Sequence, residues 1–464
     1  MMRSLFSGVS GLKNHQTRMD VIGNNIANVN TTGFKGSRVT FQDILSQNIA
    51  GAASAQGNKG GTNPKQIGLG MGMASVDTNF GDGSLQSTGK NTDLALSGNG
   101  FFILGDGANK IYTRSGAFEF DSDGNYTVPG SGLLVQGWMA DASGKINAGG
   151  DVTGITIPKG QTMAAQATQS IGYTKNLSAE GKASQTTTTT DTVADTTPAS
   201  GPTTTTNTLT DGTVIVTTIT YDGTNKTTET KTTTPPTKVI APVTVYDSEG
   251  VEHKITGVFT KTGENKWQYT PGSATPYQTD TGFAITGGVY DIEFNTDGTF
   301  KSVSGTPMTF QPTQANAMTV TPDFSKMTQY SGESTATVTS RDGYPAGDLE
   351  SVSIDSSGVI TGKFSNGLTK SLAQVAIATF NNPAGLTKLG SNTFAESNNS
   401  GVVQISTSGN GGAGTITPSN LEMSNVDLSE EFSSMIITQR GFQANSKIIT
   451  VSDEMLETLA NLKR

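Results

Sequence analysis

Few residues in this chain have the type and spacing that chemistry requires. Asp121-Ser122-Asp123-Gly124-Asn125 opens like a calcium loop, but such a loop needs Gly at its sixth position and a bidentate Glu at its twelfth. Counted from Asp121, those positions hold Tyr126 and Gly132, so the segment reads as a β-turn. Gly68-Leu69-Gly70-Met71-Gly72-Met73 is glycine-rich. A phosphate cradle would need a Lys-Ser/Thr pair and a helix after it, and neither is readable. His15 falls off the apolar stripe of its segment and reads as a surface side chain. His253, between Glu252 and Lys254, reads as a solvated strand position. Neither has a second ligand at metal-binding spacing. Glu430 and Glu431 are adjacent, point to different sides of a helix, and suit a helix start better than an acid pair. With no cysteine and two histidines, disulfide frameworks, thiolate metal sites, iron–sulfur clusters and cysteine nucleophiles are excluded. The reading is of a chain with no catalytic residue, no cofactor and no metal.

Composition points the same way. The chain holds 57 glycines in 464 residues and only 15% charged side chains, where about 7% glycine and about 25% charge are usual. The net charge of −9 leaves no basic footprint for nucleic acid or anionic lipid. No apolar run approaches the roughly 18 residues of a membrane span, and Gly, Ser, Lys and Asn interrupt the first residues where a signal peptide would have its apolar core. The expectation is a chain without membrane insertion that is cytoplasmic or leaves by a route reading no cleaved signal.

The elements that position any function are then the two ends. Leu5, Val9, Leu12, Met19 and Ile26 step by three and four, with Ile22 beside them; this is a heptad-like stripe and predicts a long helix. The C-terminal segment mirrors it through Phe432, Met435, Phe442, Ile449, Leu456 and Leu459. Asp427 and Ser429 are N-cap candidates ahead of it. One reading is two helices packed together on their own domain; the sharper one is a coiled-coil pair that cannot bury both flanks in one chain, with copies of the chain as the cover.

Between the ends the text is β. Residues 29–75 read as an extended connector with short ordered pieces. Phe101-Phe102-Ile103-Leu104, Ile111-Tyr112, Phe118-Glu119-Phe120 and Leu133-Leu134-Val135 read as strands, separated by turn signals at Gly98-Asn99-Gly100, Gly105-Asp106-Gly107 and the Asp121 loop. Residues 185–238 are dominated by threonine. A disordered or glycosylated stalk is one reading; an ordered hairpin with flexible ends, turning at Asp211-Gly212 and Asp222-Gly223, is preferred. Tyr290-Asp291-Ile292-Glu293-Phe294 alternates as a half-buried strand does. No strand–helix–strand order appears, which argues against a parallel nucleotide-binding sheet. The fold class is therefore a mainly β multidomain chain, with long terminal helices forming a coiled coil and nested barrel-like or sandwich-like β domains between them. The boundaries read as 1–28 paired with 424–464, a first β domain of 76–167 completed by 342–423, and outer β structure over 168–341.

Several segments carry a family likeness. Ala27-Asn28-Val29-Asn30-Thr31-Thr32-Gly33-Phe34-Lys35 resembles the signature of the flagellar rod and hook protein family. Leu5-Phe6-Ser7-Gly8-Val9-Ser10-Gly11-Leu12, Ser424-Asn425-Val426-Asp427-Leu428 and Gln439-Arg440-Gly441-Phe442-Gln443-Ala444-Asn445 fit the same family. Leu96-Ser97-Gly98-Asn99-Gly100-Phe101-Phe102 and Tyr112-Thr113-Arg114-Ser115-Gly116-Ala117-Phe118 resemble its first β domain. The long insertion over 168–341 favours hook members over the shorter distal rod members.

This resemblance implies a non-enzymatic homopolymer, a curved helical tube that transmits motor torque to the filament as a universal joint. It also implies neighbours: the distal rod protein, the hook cap, the hook–filament junction protein, the hook-length control protein and the flagellar export apparatus. The implied place is the extracellular flagellum, reached without a cleaved signal. Cross-linking through cysteine, known in some spirochaete hooks, has no cysteine to use here. A distal rod or hook-associated axial protein is the runner-up, and a surface adhesin or a two-carboxylate carbohydrate enzyme the readings from other classes.

Overall fold

The structure, a computed structural model, describes residues 2–57, 59–105, 109–198, 200–272, 283–312 and 315–462. Among them the chain is mainly β, with helix α1 over Met2–Ala27 and helix α2 over Leu428–Asn461. Two compact units divide it. Met1–Gln161, Leu349–Phe364 and Leu368–Arg464 form the first unit; Thr162–Asp348 with Ser365–Gly367 form the second. Beyond Gly105, the turn read at Gly105-Asp106-Gly107 lies outside the described residues.

In the first unit, α2 begins where its sequence dictates. The Asp427 carboxylate accepts from the Ser429 and Glu430 backbone N–H groups, at 2.7 and 3.3 Å, satisfying two of the four donors that a helix start leaves open. Glu430 and Glu431 in the first turn favour the positive end of the helix dipole. At 1.5 Å per residue, its 34 residues span about 50 Å. The segment read as a connector is more ordered than that. Ser37–Asp43 and Met71–Thr78 pair as an antiparallel hairpin, and Asn14 of α1 donates to the Met71 carbonyl at 2.7 Å. A further strand pair, Ser46–Ala50 with Lys65–Gly68, is exposed throughout.

The β part of the first unit is an antiparallel sheet. Its strands Val359–Phe364, Thr369–Val375, Leu134–Met139, Phe101–Gly105, Lys110–Thr113, Thr393–Ala395 and Thr387–Gly390 are neighbours in that order. Phe101, Ile103, Tyr112, Trp138, Phe380 and Phe394 close its core. The Phe380 ring meets Tyr112 and Phe101 edge to face, at 4.9 and 5.8 Å between centroids, the arrangement that ring quadrupoles favour.

The second unit packs two five-stranded sheets around one core. One sheet holds Ser170–Asn176 between Met318–Thr328 and Thr337–Arg341; the other runs from Lys238–Tyr246 to Phe300–Gly305. Tyr290–Phe294 alternates inward Tyr, Ile and Phe with outward Asp and Glu, as its sequence requires. Tyr173 and Tyr269, both fully buried, satisfy each other through their hydroxyls at 2.9 Å. The threonine-rich stretch is more than a hairpin with loose ends. Gln185–Ala194, Asn225–Thr234, Val214–Tyr221 and Ser200–Thr208 form a four-stranded sheet in that spatial order, and both Asp-Gly turns fall between its strands.

One local device closes hairpins in both units. Asp121, Asp141, Asp247 and Asp355 each accept, on Oδ1, the backbone N–H groups two and four residues on, at 2.7–2.9 Å. The glycine three residues on has φ between 76° and 86°, the left-handed region that costs other residues 1–2 kcal/mol, roughly. The Asp121 loop is therefore a turn. His253 corrects the reading of a solvated histidine: it is 7% exposed, and its Nε2 lies 2.9 Å from Asp247 Oδ2. Six residues separate the pair, and the hairpin brings them together.

These turns carry a pH signature. The Ser143 hydroxyl and the Lys145 and Ser143 backbone donors hold Asp141 below the usual carboxylate range. A carboxylate whose pKa falls on folding contributes stability that is present above its unfolded pKa and lost as pH falls through the folded value. Asp141→Ala is expected to lower the melting temperature at pH 7. The difference from wild type should shrink as pH drops below the ordinary aspartate range; an effect unchanged at acid pH would contradict this reading.

Candidate assembly surface and its anchoring junction

The stripe residues of the terminal helices do not all face each other within the chain. The α1–α2 contact sets small and polar side chains beside apolar ones: Ile448 and Ile449 lie against Gly8. Thr438 and Ser452 are buried on α2, at 0% and 2% exposure. The Ser4 and Ser452 hydroxyls lie 3.4 Å apart. A Cβ on Gly11 would sit 2.8 Å from the Asn445 side chain, and one on Gly441 would sit 2.8 Å from the His15 ring. Glycine lets the helices approach at both points. His15, read as a surface residue, is wedged between Gly441 and Phe41, whose ring centroid is 6.0 Å away. Burial, then the charge of Arg18, pushes its pKa down.

The apolar stripe is then partitioned. Ile22 is buried; Leu5, Leu12, Met19, Ile26, Met435 and Ile449 are half-buried. Val9, Phe432, Phe442, Leu456 and Leu459 are exposed. Phe6, Ile436 and Ile437, which the stripe reading left out, are exposed as well, at 66%, 59% and 65%. Together these side chains present an apolar surface along both helices that the first unit does not cover.

Behind that surface, the signature segments meet in one junction within the first unit. The chain leaves α1 through a turn in which Asn28 Nδ2 donates to the Asn24 carbonyl at 2.9 Å and Thr31 donates to Asn28 Oδ1 at 3.1 Å. Asn30 stays exposed. The Thr32 carbonyl accepts from Asn392 Nδ2 at 2.9 Å. Gly33 has φ +68°, donates its N–H to the Glu422 carbonyl at 2.7 Å, and passes so close to Ser115 that a Cβ would lie 2.6 Å from its backbone nitrogen. Phe34 is buried, with Lys388 Nζ 5.6 Å from its ring centroid.

Lys35 follows and is buried completely. Its ammonium donates to Glu422 Oε1 at 2.6 Å and to the Gly81 carbonyl at 2.8 Å. The other Glu422 oxygen lies 3.4 Å from Arg114 Nη1, and the same nitrogen is 3.7 Å from Asp82. Arg114 Nη2 donates to the Gly98 carbonyl at 2.6 Å. Burial is the largest influence on both cations and pushes each pKa down, against the opposing pull of Glu422. A buried charge without a partner costs several kcal/mol, roughly, so this cluster specifies the meeting of three chain segments far apart in sequence.

Asparagines complete the seal. Asn25 bonds Glu431 Oε1 and the Ser37 carbonyl through Nδ2, both at 2.7 Å, and accepts the Ser37 N–H at 3.0 Å. Asn425 accepts the Gly36 N–H at 2.9 Å and donates to the Asn79 carbonyl at 2.8 Å. On α2, Gln439 and Arg440 are exposed, while Asn445 donates back to the Gly441 carbonyl at 3.0 Å. The sequence reading had the motif that contains Lys35 and the one that contains Arg114. It missed that Glu422 joins them and it missed Asn25, while Asn425 lay in the quoted Ser424–Leu428 motif with no contact read for it. A charge pair separated by 387 residues leaves no spacing signal.

Comparisons with known proteins cover most of the chain. Residues 5–35 match the family described as flagella basal body rod protein, and residues 417–462 the flagellar basal body rod FlgEFG protein C-terminal family. Residues 95–179 match the flagellar hook protein FlgE/F/G D1 domain, and residues 216–344 the flagellar basal body protein FlaE D2 domain. The chain is 39% identical to the flagellar hook protein FlgE of Treponema pallidum and 41% identical to that of Borreliella burgdorferi, over the full length of both partners in each case. A solved structure of Helicobacter pylori flagellar hook protein FlgE2 shares the fold, with a TM-score of 0.52 at 15% identity, over 73% of this chain and all of that one.

The junction makes a measurable claim. Lys35→Met should destabilise the first unit by about 3 kcal/mol, because it takes the 2.6 Å partner from a buried carboxylate and leaves it the longer Arg114 contact. Lys301→Met, which removes a surface partner of Glu293 at 3.3 Å, should cost under about 1 kcal/mol. Urea unfolding followed by circular dichroism separates the two; equal effects would remove the junction's special role.

Proposed function

The chain belongs to the flagellar hook protein family, structural proteins of the bacterial flagellum, and we propose that it polymerises through the exposed apolar stripe of its terminal helices. The observation that carries this is the set of large apolar side chains left uncovered on α2, Phe432, Ile436, Ile437, Phe442 and Leu459 among them. Single exposed apolar residues are ordinary on a protein surface; several large ones on one helix mark an interaction site. The self-assembly set is Leu5, Val9, Leu12, Met19, Ile22 and Ile26 on α1 with Phe432, Met435, Phe442, Ile449, Leu456 and Leu459 on α2.

In this reading the signature residues Asn28, Thr32, Gly33 and Phe34 fix the helices to the β part, and Gly441 and Asn445 fix them to each other. Asn30, Gln439 and Arg440, all exposed, are left for neighbouring copies. The inner helices carry torque through packed apolar contacts. The β structures, each with its own core, hold looser polar contacts that slide as the tube bends. The protein has no catalytic role. It is exported without a cleaved signal and meets the distal rod protein, the hook cap, the length-control protein and the hook–filament junction protein at its two ends. No described helix is long and apolar enough to cross a membrane.

Phe432→Asp and Phe442→Asp test this directly. Both side chains are exposed in the single chain, so monomer melting and near-ultraviolet circular dichroism should stay at wild-type values while tubes fail to form in electron micrographs. Normal tubes would sink the proposal. Deleting 186–236 should leave tube formation intact and change curvature or bending stiffness; loss of assembly would show that the threonine-rich sheet is part of the polymer's framework.

A further inference from the structure

We propose that the threonine-rich sheet is a site of O-linked glycosylation, its hydroxyls carrying sugars on the outside of the assembled protein. The inference rests on the hook reading only for where the protein is collected. Threonine fills more than half the positions of the four strands. Every residue of Gln185–Ala194 and of Ser200–Thr208 is exposed, and no residue of the two inner strands is buried. The sheet contributes nothing to the core of the second unit. Its apolar residues are few, concentrated in Val214–Tyr221, and the period of two splits them between both faces.

An antiparallel sheet ordinarily hides one face. This one presents hydroxyls on both. On one face Thr186, Thr188 and Thr190 stand opposite Thr233, Lys231 and Glu229; on the other, Thr187 and Thr189 stand opposite Thr232 and Thr230. Where these hydroxyls bond within the sheet, they bond across strands: Thr186 to Thr233 at 3.1 Å, and Thr204 to Thr218 at 3.4 Å. These contacts leave the outer hydroxyls open to an enzyme. Pro198, Pro202, Pro235 and Pro236 punctuate the stretch, the composition of O-glycosylated stalks.

Two chemistries could use such hydroxyls, and charge separates them. Phosphate adds −1.5 to −2 per site, roughly, and is held by arginine clusters. No arginine occurs between residues 185 and 234, and the strands already balance Asp191 and Glu229 against Lys226 and Lys231. Several phosphates here would repel one another. A neutral, hydrated sugar covers both faces at no electrostatic cost. In the transfer, a threonine Oγ1 attacks the anomeric carbon of a nucleotide-activated sugar. The new C–O bond replaces the sugar–phosphate bond, the nucleoside phosphate leaves with the electron pair, and the hydroxyl proton passes to a base on the transferring enzyme. Nothing is oxidised or reduced.

The test is the mass of the chain taken by antibody from its own cells, beside the same chain made in a host without such transferases. The expected result is a series of sugar-sized increments above the 48.1 kDa sequence mass, placed by electron-transfer fragmentation on threonines between 186 and 234. They should vanish when 186–236 is deleted. A chain at its sequence mass, phosphate-sized increments, or sugars confined to other segments would each overturn the proposal. Gold labelling of whole cells with the same antibody is read separately. Sugars on this sheet in a protein absent from hooks would overturn the hook reading and leave this one standing.

Discussion

The first unit depends on a carboxylate that cannot be left alone. Glu422 is 1% exposed, and its two oxygens are divided between Lys35 and Arg114. Each partner comes from a different stretch of chain: Lys35 from just after α1, Arg114 from the first β sheet, and Glu422 from just before α2. Removing Glu422 takes the carboxylate from two buried cations, and removing Lys35 leaves the carboxylate the longer Arg114 contact at 3.4 Å, whereas an exposed pair would cost little to lose. The cluster therefore gives modest net stability and strong selection among arrangements. It fixes where α1 ends, where α2 begins and which side of the sheet receives them.

That fixing explains the division of labour along the helices. With both helices anchored at the junction, the contact between them runs through Gly11, Gly441, Thr438 and Ser452, residues small enough for close approach. Ile448 and Ile449 of α2 lie against Gly8 of α1, while Phe432, Ile436, Ile437 and Phe442 remain exposed. A single chain thus folds with several large apolar residues of α2 still exposed, and in the proposed assembly association of copies removes them from water. The same separation lets the β structures keep their own cores, so bending a polymer need not unpack them.

Much of this was legible in sequence, for identifiable reasons. Helix and strand periods are local, so the terminal helices, the Asp427 cap and the strands around Phe101 and Tyr290 could be read directly. The Asp-Gly turns of the threonine-rich segment were legible too, because left-handed glycine leaves a mark in sequence. The pairing of the two ends was read as well; what escaped were the individual side-chain contacts that the fold creates. His253 was read as solvated because Asp247 reaches it only through the hairpin. His15 was read as a surface residue because Gly441 lies at the other end of the chain. That the helices leave apolar surface for other copies was expected; which residues stay exposed was not, since periodicity cannot tell a face covered by the same chain from a face kept for another. The hairpin of Ser37–Asp43 with Met71–Thr78 was hidden because a long stretch rich in glycine and alanine separates its two strands.

The central claim is that the junction holds the helices as they stand in the single chain and that assembly covers what remains exposed. A helical reconstruction of isolated tubes by electron cryomicroscopy, at side-chain detail, tests it most directly. The account expects Lys35, Glu422 and Arg114 in contact as described here, α1 against the α2 of its own chain, and Phe432, Ile437 and Phe442 buried between copies. Tubes in which α1 has left its own α2, or in which the Phe432–Leu459 stripe faces open solvent, would contradict it.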